Sequence, residues 1–261
     1  MSPGRAFRDR LLVALAALIV WHVAALVFGP HWISPPLVTA RRFGQLALNG
    51  ELARHAVYTL AAAAGGFAVG GVPGAVLPFA LRRAPRLAAV LDPYLVAGYG
   101  MPKLALAPLF ILWFGIGLAS KVALVASIVF FLIFFSTAAG VRGTDVRLVA
   151  MARVAGASEQ AVARHVVWPS AVPYVFAGLK ISLSYAIGAA VVGELISSNR
   201  GLGYLIQAGA NDFDTTTVFA ALTALTLLIV GVNALVEATE RRLLRWRPAD
   251  AQPARRLVTA A

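Results

Sequence analysis

The sequence predicts an all-α polytopic membrane protein with six transmembrane helices, and three observations predict it. Hydrophobic residues make up 60% of the chain and charged residues only 13%, with a mean hydropathy of +0.80. That is about half the charged content of a soluble domain. Six apolar runs each reach the length that a helix needs to cross a hydrocarbon core of ~30 Å, about 20 residues. The basic residues gather in alternate connections between those runs. Length alone would allow one or two soluble domains in 261 residues; the composition excludes them. There is no cysteine, which removes a disulfide framework and any thiolate metal site.

The elements follow in order. Residues 1–10 form a basic N-terminus, and Leu11–Gly29 is the first span, interrupted only by His22. Arg5, Arg8 and Arg10 resemble the n-region of a signal peptide. The apolar run is longer than the roughly 7–15 residues of an h-region, so it reads as a retained span. Residues 30–56 connect it to a five-helix core over 57–240. Val57–Leu81 is uncharged. Leu87–Phe114 contains Pro93, Pro102 and Pro108 and holds Asp92 and Lys103, which suggests a broken helix whose freed carbonyls face a cavity. Val122–Val141 is uncharged and rich in Phe. Val172–Leu195 carries Lys180 and Glu194, and Val218–Val236 completes the set. Residues 241–261 form a basic tail.

Six spans place both termini on one side. With the N-terminus inside, the inner pieces hold Arg5, Arg8, Arg10, Arg82, Arg83, Arg86, Arg142, Arg147, Arg153, Arg164, Arg241, Arg242, Arg245, Arg247, Arg255 and Arg256. These are sixteen of the 23 basic residues. The outer pieces keep Arg41, Arg42, Arg54, Lys121 and Arg200. This is the positive-inside asymmetry, so both termini are expected in the cytoplasm. It also accounts for the net charge of +12 without a nucleic-acid partner.

The segment 142–169 is polar and lies between apolar spans. Thr144 and Asp145 can cap a helix over Val146–Ala155, because their oxygens accept orphan backbone N–H groups. Gly156 takes positive φ at no steric cost and ends that helix in a turn. Ser158 can cap a second helix, with Glu159 at its positive dipole end. Ala161, Val162, His165 and Val166 give the second helix an apolar stripe, and Pro169 marks its stop. An interfacial helix lying on headgroups is the plain reading of such a pattern. Within the spans, Gly66, Gly70 and Gly74 recur every four residues, a face for close helix packing. Gly178, Ser182, Ala186 and Gly193 make a similar face that either packs or lines a pathway.

Four separated stretches carry a family resemblance. Ala150, Met151, Ala152, Gly156, Val166 and Trp168-Pro169 keep the spacing of the E-A-A, three residues, G, nine residues, I, one residue, L-P pattern. Ala150 replaces its acidic residue. "LDPYLVAGYGMPKLALAPLFILWFGIGLASK" (91–121), "GLGYLIQAGANDFDTTTVFA" (201–220) and the ending "ERRLLRWR" (240–247) complete the likeness. The chain resembles the permease subunits of ABC importers of the nitrate/sulfonate/taurine type, a resemblance that covers most of its length. It implies a type I ABC importer bundle in the inner membrane, paired with a second permease copy, an ATPase subunit and a periplasmic solute-binding protein. ATP and magnesium would sit on the ATPase subunit, since this chain has no G-x-x-x-x-G-K-[ST] motif and binds no cofactor.

The resemblance makes 142–169 a coupling loop. Ala150, Ala152, Gly156, Ala157, Val166 and Pro169 are its expected contact and hinge residues, and the apolar stripe is expected to bury in a groove of the ATPase. Candidate pathway residues are Lys103, Ser182, Tyr185 and Glu194. Lys103 either borders the pathway, favouring an anion, or pairs with a carbonyl or carboxylate; Lys180 either faces a cavity or snorkels. His22, His31, His55 and His165 lack helical metal spacing, and no nucleophile motif is present, so no metal and no catalytic residue is expected. The rival reading is an ATP-independent secondary transporter or channel, which would show two repeated halves.

Overall fold

The computed structural model describes residues 3–243, and the basic tail expected over 241–261 lies outside them from residue 244 onward. The described chain folds as helices α1 (Pro3–Phe28), α2 (Pro36–Leu48), α3 (Glu51–Arg82), α4 (Pro85–Gly100), α5 (Ala107–Phe114), α6 (Leu118–Arg142), α7 (Val146–Val154), α8 (Glu159–Val162), α9 (Trp168–Ile196), α10 (Leu202–Asn211) and α11 (Thr215–Leu243). Five helices or helical runs are long and apolar enough to cross a membrane, and a bent pair makes the sixth. The architecture is therefore the expected all-helical bundle.

Its centre is α3, α6 and α9, packed through small residues. Ala62 and Ala63 of α3 and Ala186, Ile187, Ala189 and Ala190 of α9 enclose Val125, Val129 and Ile133 of α6. Lipid is as apolar as leucine, so contact at short range and not water exclusion drives this association. The glycine face of α3 makes the contact shortest. A Cβ on Gly70 would overlap the backbone of Ala126, and one on Gly74 would stand 2.7 Å from the Phe130 carbonyl. On α9, a Cβ on Gly178 would meet Ser136 at 2.8 Å and one on Gly193 would meet Lys121 at 3.2 Å. Both small-residue faces thus pack against α6.

The structure refines the sequence reading in three places. Within the connection 30–56 the chain forms α2, and α3 begins at Glu51, ahead of the apolar run that starts at Val57. Gly50 turns the chain at φ +76°, and the Asn49 side chain accepts the Glu51 N–H at 2.9 Å. The third span breaks only once. Pro93 lies inside α4 without ending it, whereas Met101, forced to an extended backbone before Pro102, separates α4 from the 3₁₀ turn Lys103–Leu106 and α5 at an angle of 83°. Pro169 does not stop the second loop helix. It lies at the second residue of α9, directly after a π-helical segment (Ala163–Val167) that joins α8 to α9 as one continuous run, so the N–H it lacks falls where the backbone bonding changes from π to α.

Candidate functional site

Three places in the fold gather the functional candidates. The first is the loop between α6 and α9, at the end of the bundle that carries Arg82, Arg142, Arg147, Arg153 and Arg164. Asp145 Oδ1 accepts the Arg147 N–H at 2.8 Å and Ser158 Oγ the Ala161 N–H at 3.2 Å, so both expected caps form. Gly156 sits at φ +83°. The Ala157 N–H bonds the Ala152 carbonyl at 3.0 Å and the Gly156 N–H bonds the Arg153 carbonyl at 2.9 Å. This crossed pair is a Schellman closure, with Ala157 and Ala152 in the accompanying apolar contact. Arg153 and Glu159 pair across the turn at 2.8 Å, an exposed bridge worth about 1 kcal/mol or less.

The apolar stripe of the second loop helix does not point to a free groove. Val162 and Val167 are fully buried among Val141, Ala171, Phe79 and Val149, with Val166, Ala152 and Ala157 packed around them. The physical reason is the unbroken run into α9, which fixes the stripe's azimuth toward the chain's own α6. What remains open is α7. Val146, Leu148, Met151 and Val154 are 78%, 47%, 68% and 90% exposed, and Ala150 stands exposed beside them. Pro169 is exposed where the loop enters α9.

The second place is the break in the third span. Lys103 Nζ donates to the Tyr99 carbonyl at 2.8 Å and the Met101 carbonyl at 3.3 Å, and it lies 4.5 Å from the Phe131 ring centre. The carbonyls freed by the break are thus capped by the side chain that follows them. Tyr185 is 58% exposed on α9 near Leu104. Ser182 is not beside it: the hydroxyl is fully buried within the bundle and donates to the Leu179 carbonyl at 3.1 Å.

The third place lies at the opposite end, around α10, and sequence reasoning missed most of it. Glu194 is 1% exposed. Its Oε2 accepts the Thr59 hydroxyl and the Gly203 N–H, both at 2.9 Å; Thr59 in turn accepts the Leu202 N–H at 2.9 Å, and His55 Nδ1 accepts the Gly201 N–H at 3.0 Å. The first N–H groups of α10 are therefore capped by side chains from α3 and α9, with the carboxylate at the positive dipole end. Lys121, also 1% exposed, donates to the Ile116 carbonyl at 2.6 Å and to the Ser197 carbonyl. Glu194 is a strut that docks α10 onto α3 and α9. Gly201, at φ +108°, must be glycine because a Cβ there would strike the Glu194 carboxyl. The Gly201-Leu202-Gly203 spacing next to a lone span glutamate is the signal that would have revealed this knot.

Apolar helices packed through small residues, with the exposed helix α7 at one end and the docked short helix α10 at the other, make up a membrane-embedded helical bundle. The chain belongs to the family of binding-protein-dependent transport system inner membrane components, whose description matches residues 52–245. It is 38% identical, over 88% of its length and 86% of the relative's, to the riboflavin transport system permease protein RibX of Chloroflexus aurantiacus. It is 32% identical to the putative aliphatic sulfonates transport permease protein SsuC of Bacillus subtilis, covering 94% of this chain and 91% of that one. A further 32% match, over 90% and 94%, is to the formylaminopyrimidine transport permease protein ThiX of Halalkalibacterium halodurans. Among solved structures, an inward-facing MetNI methionine ABC transporter shares the fold, with a TM-score of 0.59 at 19% identity over 77% of this chain and 95% of that one. The protein is thus a multi-pass inner-membrane permease subunit of a binding-protein-dependent ABC transporter for small solutes.

Proposed function

We propose that this chain is the membrane half of an ATP-driven importer, moving a small solute inward with energy delivered through α7. The observation that carries the reading is the exposed apolar row Val146, Leu148, Met151 and Val154, on a nine-residue helix whose far side is anchored to the bundle. Four exposed apolar side chains on an element outside the spans form a surface that a partner covers, and a short helix laid in a groove is a recurrent mode of such contact. The partner is the ATPase subunit, which holds the ATP and magnesium. Ala150, Ala152, Gly156 and Ala157 keep that surface compact and set its angle, while Val166 and Pro169 tie it to α9. A displacement of α7 therefore reaches the centre of the bundle without a flexible link.

The positive-inside asymmetry supports this loop and both termini in the cytoplasm, with the α10 end outside, where the solute-binding protein docks. Two permease copies with two ATPase subunits make the working unit. The solute belongs to the range spanned by the relatives, from sulfonates to vitamins and their precursors. Co-purification tests the assembly: a stoichiometric ATPase subunit is expected, and it should be lost on Met151→Asp. Uptake by the purified chain alone would instead support the ATP-independent reading.

A further inference from the structure

Away from α7, the loop end of the bundle holds a second feature, a cavity of about 250 Å³ between the ends of α3 and α6 and the α4 helix. Its floor is apolar. Leu81, Leu95, Phe134, Ala138 and Val141 line it, and Leu81, Phe134 and Ala138 are buried core. Its rim is basic. Arg82 ends α3 and Arg142 ends α6, and both line the opening, with Arg83 and Arg86 exposed within four residues of Arg82. Acids answer only part of this charge. Asp92, also on the rim, accepts from Arg142 Nη2 at 3.1 Å, which uses one of the five N–H donors of that guanidinium. Glu159, whose charge also reaches Arg82, is already paired with Arg153 at 2.8 Å. Helix α4 does not close the gap, since none of its residues is buried.

An occupant must match both surfaces. Water finds few partners on an apolar floor. One turn of helix, about 10 Å across and 5.4 Å long, fills roughly 420 Å³, so a partner's helix does not fit. A single file of methylenes does, and a phosphate at its end comes level with the arginines, where spans meet headgroups. Guanidinium groups grip phosphate with paired N–H bonds, and basic pockets between spans are a recurrent form of anionic-headgroup site. We propose that this cavity binds an anionic phospholipid, with one acyl chain on Leu95, Phe134 and Ala138 and the phosphate held by Arg82 and Arg142. The lipid fills the space that α4 leaves against α3 and α6. A zwitterionic headgroup carries the same phosphate beside a cation that the arginines repel, so the site selects net negative headgroups such as phosphatidylglycerol. Such a site needs only the membrane placement of the chain, not its coupling to an ATPase.

The permease with its ATPase subunit is extracted in detergent, supplied with phosphatidylglycerol or phosphatidylcholine, and weighed with its bound lipids by native mass spectrometry. Phosphatidylglycerol is expected to be retained roughly tenfold or more over phosphatidylcholine, the effect of two arginines on one negative charge. Arg82→Gln, which leaves the Arg142–Asp92 bridge in place, should lower that preference about fivefold. Ala88→Leu fills the cavity from the α4 side and should expel either lipid. Arg54→Gln, at the far end of α3, should change nothing. Equal retention of the two lipids, or a preference that survives both Arg82→Gln and Ala88→Leu, overturns the site. Thermal stabilisation by soluble glycerol phosphate equal to that by phosphatidylglycerol makes the occupant a free oxyanion and overturns the lipid. Loss of the ATPase subunit in Arg82→Gln with lipid retention unchanged gives the arginines to that partner and overturns it as well.

Discussion

Replacing Gly156 by valine tests the joint between the bundle and its energy source. The residue closes α7 at φ +83°, and nothing lies within 4 Å of the position a Cβ would take. Space is therefore available and the whole effect is conformational. An L-residue in the left-handed region costs about 1–2 kcal/mol, and a β-branched one approaches about 3 kcal/mol. Against this stand the two hydrogen bonds of the Schellman closure, at 3.0 and 2.9 Å, together worth about 1–3 kcal/mol. The strain of valine matches or exceeds these bonds, so it is expected to displace the turn; a net of about 1–2 kcal/mol against the native loop geometry is a roughly 5- to 30-fold loss. Asparagine tolerates positive φ and should retain most coupling, with alanine between them. The assay is ATP hydrolysis and solute uptake measured together in proteoliposomes containing permease, ATPase subunit and binding protein. Gly156→Val should insert normally and hydrolyse ATP with little uptake. Uptake per ATP equal to wild type, with no ranking of Asn, Ala and Val, would refute the argument.

Other substitutions probe the remaining contacts. Gly70→Leu should prevent α3 from closing on the Ala126 backbone, so that the variant is inserted but degraded or lost as aggregate on gel filtration; a monodisperse variant of wild-type thermal stability would contradict that packing. Glu194→Ala leaves the buried Thr59 hydroxyl and Gly203 N–H without their acceptor and should cost about 1–3 kcal/mol for each group left unpaired, read as a lowered melting temperature, whereas Glu194→Gln keeps an acceptor for both and should lose less. Lys103→Met uncaps the Tyr99 and Met101 carbonyls and should lower stability more than Lys103→Arg does. Cysteines placed over 143–168 should be labelled from the cytoplasmic side alone, and labelling from outside intact cells would invert the topology.

Much of the fold was legible because the bilayer constrains it heavily. Spans need length and apolarity, and both stand in the sequence of Val122–Val141 or Val57–Leu81. Glycines at four-residue spacing can serve little but close packing, so Gly66, Gly70 and Gly74 announced their role. The loop was equally readable where its information is local: Asp145, Ser158 and Gly156 each act within three residues of themselves. What escaped the sequence depends on azimuth and on distant partners. The stripe of Val162 and Val166 faces its own chain because a π-helical segment, invisible in composition, carries the loop helix straight into α9. Ser182 and Ser184 are two residues apart on one helix, yet one is buried and the other open, a distinction only the neighbours of α9 decide. Glu194 near a span end reads as a pathway acid until His55 and Thr59, some 135 to 146 positions from their partners, are seen to join it in capping α10.

The central claim is that this permease has no engine and is driven through α7. Its most direct measurement is uptake into proteoliposomes of the solute that stabilises the purified binding protein in a thermal-shift screen, with ATP or a non-hydrolysable analogue enclosed. The account predicts accumulation only when the ATPase subunit and hydrolysable ATP are both present, and its abolition by Met151→Asp through loss of that subunit. Accumulation by the permease in vesicles without the ATPase, unchanged by Met151→Asp, would contradict it.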